Sequence, residues 1–215
     1  QMQSARPMMT SSLLCAPALA HAQQPPAPIS RFAFAVRGFY SGLGQDPVTA
    51  EGLGVQPADL PSRGFGGVAG VHVYPIRTKG FALGIGAEGI LAHGSRQAHD
   101  ETTGDPVGLP IVQRLMGLSP QISFTFGHRQ GWSYLSAGMG PLSFASYQRD
   151  MAPDDPAPRK RTINMGAGAR WFNTAHVAFC FDMRFYLTRP EDPTISYPGR
   201  QRSRLLVLSA GISIK

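Results

Sequence analysis

His93 and Ser95 stand two residues apart, with Glu101 six residues further on. These are the types that acyl transfer requires: a hydroxyl nucleophile, an imidazole base and a carboxylate to orient the base. No carboxylate is evidently placed to orient His93, however, and the plain reading is the start of a solvated loop. His99, Asp100 and Glu101 invite a metal-site reading, but three adjacent residues make a poor cage and read better as a solvated charge run. No glycine-rich stretch leads into a helix, so no phosphate-cradling loop is read. The sequence therefore predicts no catalytic residue, no metal and no cofactor.

A second group sits within apolar runs: Arg37, His72, Glu88, Gln121, Arg170, Asp182 and Arg184. Buried charges are costly unless paired, so these are expected to form one mutually satisfying network. Glu88 is predicted to contact Arg37 or Arg184, with Asp182 or Arg170 extending the network. A gated ion pathway is the functional alternative to a plug. A third group is basic: Arg149, Arg159, Lys160 and Arg161, then Arg189, Arg200, Arg202 and Arg204. With a net charge of +7 this group implies a polyanion partner, against the plainer reading of a solvated surface.

The elements that must position these groups follow from periodicity. The 215 residues suit one domain; only 15% are charged, while Gly (25) and Pro (19) are abundant, which suits neither a disordered tail nor an ordinary soluble enzyme. No stretch approaches the roughly 18 to 20 apolar residues of a membrane-spanning helix. Apolar residues instead recur with a period of two, over residues 31–40, 64–74, 81–93, 118–127, 132–147, 162–172, 177–188 and 204–214. The connections alternate: long after the first, third, fifth and seventh runs (41–63, 94–117, 148–161, 189–203), short after the second, fourth and sixth (75–80, 128–131, 173–176). An all-β, eight-stranded antiparallel up-and-down barrel has this asymmetry when it spans an outer membrane, with both chain ends on the short-turn side.

Which residues alternate decides between a soluble and a membrane barrel. In the seventh run Val177, Phe179, Phe181, Met183, Phe185 and Leu187 share one face, and Cys180, Asp182, Arg184 and Thr188 lie on the other. Large apolar residues outside and small or polar ones inside are the membrane pattern; a secreted, lipocalin-like carrier would reverse it. An eight-stranded lumen is barely wide enough for its own side chains, so Gly66, Gly70, Gly84, Gly86, Gly166 and Gly168 are read as room for bulky polar neighbours, and a plug is preferred to a pore. Gly138, Gly140 and Pro141 predict a bulge and an unsettled register in the fifth run. Tyr74, Phe81, Phe126, Trp132, Trp171 and Phe172 gather at the short-turn ends and are read as an interfacial girdle.

Arg6, the short apolar run through Leu13 and Leu19, and Ala20-His21-Ala22 predict a signal peptide over 1–22, cleaved after Ala22, then a Pro-rich periplasmic tether over 23–30 and the barrel over 31–215. Cleavage would leave Cys180 as the single cysteine, which excludes an internal disulfide. By pattern and topology, residues 31–215 resemble the small outer-membrane barrels of the OmpA and OmpX type. The chain departs from them at Ile214-Lys215, where such barrels commonly carry an aromatic, and no diagnostic motif narrows the family. His93-Gly94-Ser95 is faintly similar to the His-x-Ser pair of the PagL-type lipid A deacylases, with Arg96 where that family has Asn; this keeps a lipid-modifying enzyme as the alternative. The resemblance implies a non-enzymatic, monomeric outer-membrane scaffold presenting four surface loops, with a role in envelope integrity or surface interaction. Its implied partners are outer-membrane lipid, lipopolysaccharide phosphates in preference to nucleic acid, and the barrel assembly machinery during biogenesis.

Overall fold

The structure, a computed structural model, describes residues 29–100, 102–128 and 131–215. The expected signal peptide, the tether up to residue 28, and Glu101 lie outside the described residues. Eight strands follow in chain order: β1 (Phe32–Gly42), β2 (Arg63–Arg77), β3 (Phe81–His99), β4 (Pro106–His128), β5 (Gly131–Gln148), β6 (Arg159–Phe172), β7 (Val177–Leu187) and β8 (Arg204–Ile214). Each pairs antiparallel with the next, and β8 pairs with β1, so the sheet closes into an up-and-down barrel with no free edge. Strict alternation fixes the faces. In β1, Phe32, Phe34 and Val36 point outward and are exposed, while Ala33, Ala35 and Arg37 are buried.

Several boundaries differ from the sequence reading. Most of the expected long loop over 94–117 is strand: β3 and β4 continue in register through Arg96 and Ile111, and the connection shrinks to the tip at 100–105. The mixed polarity of that stretch hides a hairpin whose outer face leaves the apolar band. Arg159, Lys160 and Arg161 likewise belong to β6. The connection after β1 carries a short helix, α1 (Pro47–Leu53), and a 3-10 turn at Pro57–Asp59.

The predicted bulge in β5 is not there. Across β4 and β5 the register is the same on both sides of the unpaired stretch, Gly117↔Leu142 and Gln121↔Gly138, and β5 pairs with β6 without a shift. Pro120 and Pro141 have no N–H to donate, so the ladder is interrupted rather than displaced. Register shifts occur instead between Val73 and Ile76 and between Arg96 and Ala98.

The lumen is filled in tiers. On the short-turn side Ile29, Ala33, Tyr74, Ala82 and Trp132 pack together, with Phe172 against them. Tyr74, Trp132 and Phe172 are therefore not girdle residues; they share the inward phase of His72, Tyr134 and Arg170, whereas Phe81, Phe126 and Trp171 do face outward. A charged layer lies above this plug. Toward the long loops the interior becomes apolar, built on Phe39, Val68, Ile90, Leu115, Tyr186 and Val207. Ala50 and Leu60 then close the loop end over Ile111.

Candidate functional site

The charged layer is assembled from the odd strands, whose inward residues meet across the axis. Arg37 on β1 ion-pairs with Glu88 on β3 and lies 3.2 Å from Asp182 Oδ2 on β7. Arg184, also on β7, approaches Glu88 Oε2 at 3.2 Å from the opposite wall, and its Nη2 lies 3.3 Å from Asp182 Oδ2. Arg184 also donates to Gln121 Oε1 (2.9 Å), Asn164 Oδ1 (2.7 Å) and Ser136 Oγ (2.6 Å). Two guanidiniums and two carboxylates thus neutralise one another, all at most 4% exposed, which is how buried charge is tolerated. The glycines make the room. A β-carbon at Gly70 would lie 2.8 Å from Glu88 Cγ, and one at Gly86 2.7 Å from the His72 ring.

Of the expected network, Arg37, Glu88, Gln121, Asp182 and Arg184 are directly linked. Arg170 stands one step away, donating to Tyr74 Oη (3.1 Å) and stacking over the Tyr134 ring at 4.4 Å. His72 is buried beside Tyr74, but its Nε2 has no hydrogen-bond partner among the described residues. The sequence reading missed Tyr134, which accepts from Arg37 (2.9 Å) and donates to Asp182 (2.8 Å), and Asn164, which donates to Ser119. Both lie on the inward phase of their strands, and that phase is the signal the sequence carried for them.

The basic residues divide. Arg149, Arg159, Arg161, Arg189, Arg202 and Arg204 are exposed and Lys160 is half-buried. Arg200 is not available to a surface ligand. It is buried under the lid that the connection over 43–62 forms on the loop end, its guanidinium 3.4 Å from the Phe144 ring centroid and donating to Leu43 O at 2.8 Å. Burial lowers its pKa to about 10, with Asp46 and Glu191 opposing that shift. Burial also raises the Glu191 carboxyl above its ordinary value. Arg161, Arg189, Arg202 and Arg204 instead rim a cleft of about 250 Å³ with Ile163 and Leu187, and no carboxylate lines it.

Ser95 Oγ accepts from Arg149 Nη2 at 3.1 Å, and no hydrogen bond joins it to His93 among the described residues. No group of three potential metal ligands occurs among them either.

A closed eight-stranded antiparallel barrel, apolar outside and charge-filled inside, is the architecture of the small outer-membrane barrels. Among solved structures, the chain is similar to Neisserial surface protein A at a TM-score of 0.53 and 10% identity, over 88% of this chain and 99% of that one. It also matches the Yersinia pestis attachment invasion locus protein Ail (TM-score 0.42, 12% identity, 86% and 99% covered). A third match is the Escherichia coli outer membrane protease OmpT (0.44, 8%, 72% and 64%). No protein-family model and no curated protein matches the sequence.

Proposed function

We propose that this protein is a non-enzymatic scaffold of the bacterial outer membrane, a sealed barrel that holds its loops at the cell surface. The observation that carries this reading is the pairing of an outward apolar band with an interior blocked at three levels: Trp132 and Tyr74, the Arg37–Glu88–Arg184 layer, and the lid over Ile111. Side chains occupy the lumen where a pore would run. The exposed rim arginines, above all Arg161, Arg189, Arg202 and Arg204, are suited to lipopolysaccharide phosphates, since guanidinium forks bind phosphate oxygens bidentately. His93 and Ser95 lack the hydrogen bond that would support acyl transfer, so Ser95→Ala should leave lipid A mass spectra unchanged.

Detergent-refolded protein should migrate faster unheated than boiled in SDS gels, because a closed barrel offers no edge at which unzipping begins. It should also carry no steady single-channel current in planar bilayers. Identical mobility, or stable conductance steps, would refute the sealed-barrel reading.

A further inference from the structure

The connection over 149–158 does not stand away from the barrel; it folds down the outer face of β5. Ser143 and Ala145 point outward, yet both are buried, and Ser143 Oγ donates to Ala157 O. The segment is held from the far side as well, where Tyr197 Oη donates to Asp155 O at 2.7 Å. Between this wall and the outward residues of β2, β3 and β4 lies a groove of about 640 Å³, within the size range of ligand pockets.

Strand register orders its floor in two rows. The row toward the loops runs Phe65, His93, Arg114, Ala145 from β2 to β5; the row below it runs Gly67, Leu91, Met116, Ser143, ending at Arg159 on β6. No carboxylate lines the groove, so it is basic at Arg114 and Arg159 and apolar at Leu91 and Met116. Beside Leu91 at Gly67, and one step below it at Gly89, the outer surface is shallow. Gly67 and Gly89 face outward, and a β-carbon at either would find nothing nearer than 3.7 Å. An extended chain leaving the groove therefore has a bed that leads into the apolar band.

The geometry points to a binding site for an acylated, phosphorylated lipid of the outer leaflet, its phosphate at Arg114 and Arg159 and one acyl chain over Leu91, Met116 and Gly67. This inference rests on the outer-membrane reading above. It is separate from the arginine cleft on β6 to β8, which shares no lining residue with the groove. Charge complementarity excludes a purely apolar occupant, and the open bed excludes a bare phosphate.

Native mass spectrometry of the refolded full barrel tests it, with bisphosphorylated lipid A, phosphatidylethanolamine and inorganic phosphate as probes. Wild type should retain lipid A well above the other two. Gly67→Leu, which fills the bed, and Arg114→Gln, which removes the head contact, should each weaken lipid A by at least about tenfold, the worth of roughly two buried methylenes. Both should keep the heat-dependent gel shift, and either variant suffices if the other does not refold. Unchanged lipid A affinity in a folded variant overturns the proposal, as does equal retention of phosphatidylethanolamine. Dimers that disappear in Gly67→Leu while lipid A binding persists overturn it too, assigning the groove to a second copy. The triple variant Arg161→Gln, Arg189→Gln, Arg202→Gln separates the two readings. Loss of lipid A there alone upholds the arginine cleft and removes the groove; loss in the groove variants alone does the reverse.

Discussion

At mid-height the barrel is filled with charge, and one layer nearer the long loops it is filled with hydrocarbon. The two layers use the same strands two residues apart: Arg37 is followed inward by Phe39, Glu88 by Ile90, and Arg184 by Tyr186. The wall is alike in both, because a closed ladder satisfies its own backbone whatever the side chains do. The difference lies in coupling. In the apolar layer each residue contributes through its own contacts and the cavity it would leave. In the charged layer each group depends on partners from several strands, so removing one leaves the others buried with a counter-charge missing.

The largest expected effect follows from that coupling. Glu88→Ala strips both arginines of a shared carboxylate, and the folded barrel should lose about 3 to 5 kcal/mol in urea titrations read by gel mobility. Adding Arg184→Ala should cost far less than the sum of the two single changes, because the pair acts as a unit. Strict additivity would erase the distinction between the layers.

Leu115→Ala, in the apolar layer and 1% exposed, should cost about 3 kcal/mol, as buried leucine truncations do. A cost under about 1 kcal/mol would mean that the loop-side interior is loosely filled. The lid comes next. Arg200→Met keeps the stem but loses the Phe144 stacking and the Leu43 hydrogen bond, about 1 to 3 kcal/mol of local stability. Limited proteolysis should then cut within 43–62 while the gel shift persists; unaltered resistance would show that Arg200 does not hold the lid.

The smallest effect is at the hairpin tip. The amides of Thr103 and Thr102 donate to Asp100 Oδ1 and hold its carboxyl below the ordinary value of 3.8. A lowered folded pKa contributes stability that is present above the ordinary value and lost as pH falls through the lower one. The protection of the Thr102 and Thr103 amides, taken relative to their intrinsic exchange rates, should fall only on acidification through that window, with the strands unaffected. Protection that does not change with acid would remove the carboxylate from the turn.

The wall was legible in the sequence because period-two alternation is strong in β1 and β7, where outward residues are nearly all large and apolar. The charged layer was legible for a related reason: a Glu or an Arg within an apolar run has few places to go but inward. What the sequence concealed lay where polarity and phase part company. Tyr74 and Trp132 read as girdle residues by type, yet their phase places them in the plug. Arg200 reads as surface charge until the lid folds over it. The groove was invisible because it depends on where residues 149–158 fall against β5, a tertiary choice that no local pattern encodes.

In the proposed outer-membrane barrel the apolar face contacts lipid and the charged face lines a sealed interior. The two tryptophans are placed to test it: Trp171 faces outward at 50% exposure, and Trp132 lies in the lumen at 1%. In liposomes of acyl-brominated lipid, Trp132→Phe, which retains Trp171, should show strong fluorescence quenching. Trp171→Phe, which retains Trp132, should show almost none. Equal quenching of the two, or stronger quenching of Trp132, would contradict the claim.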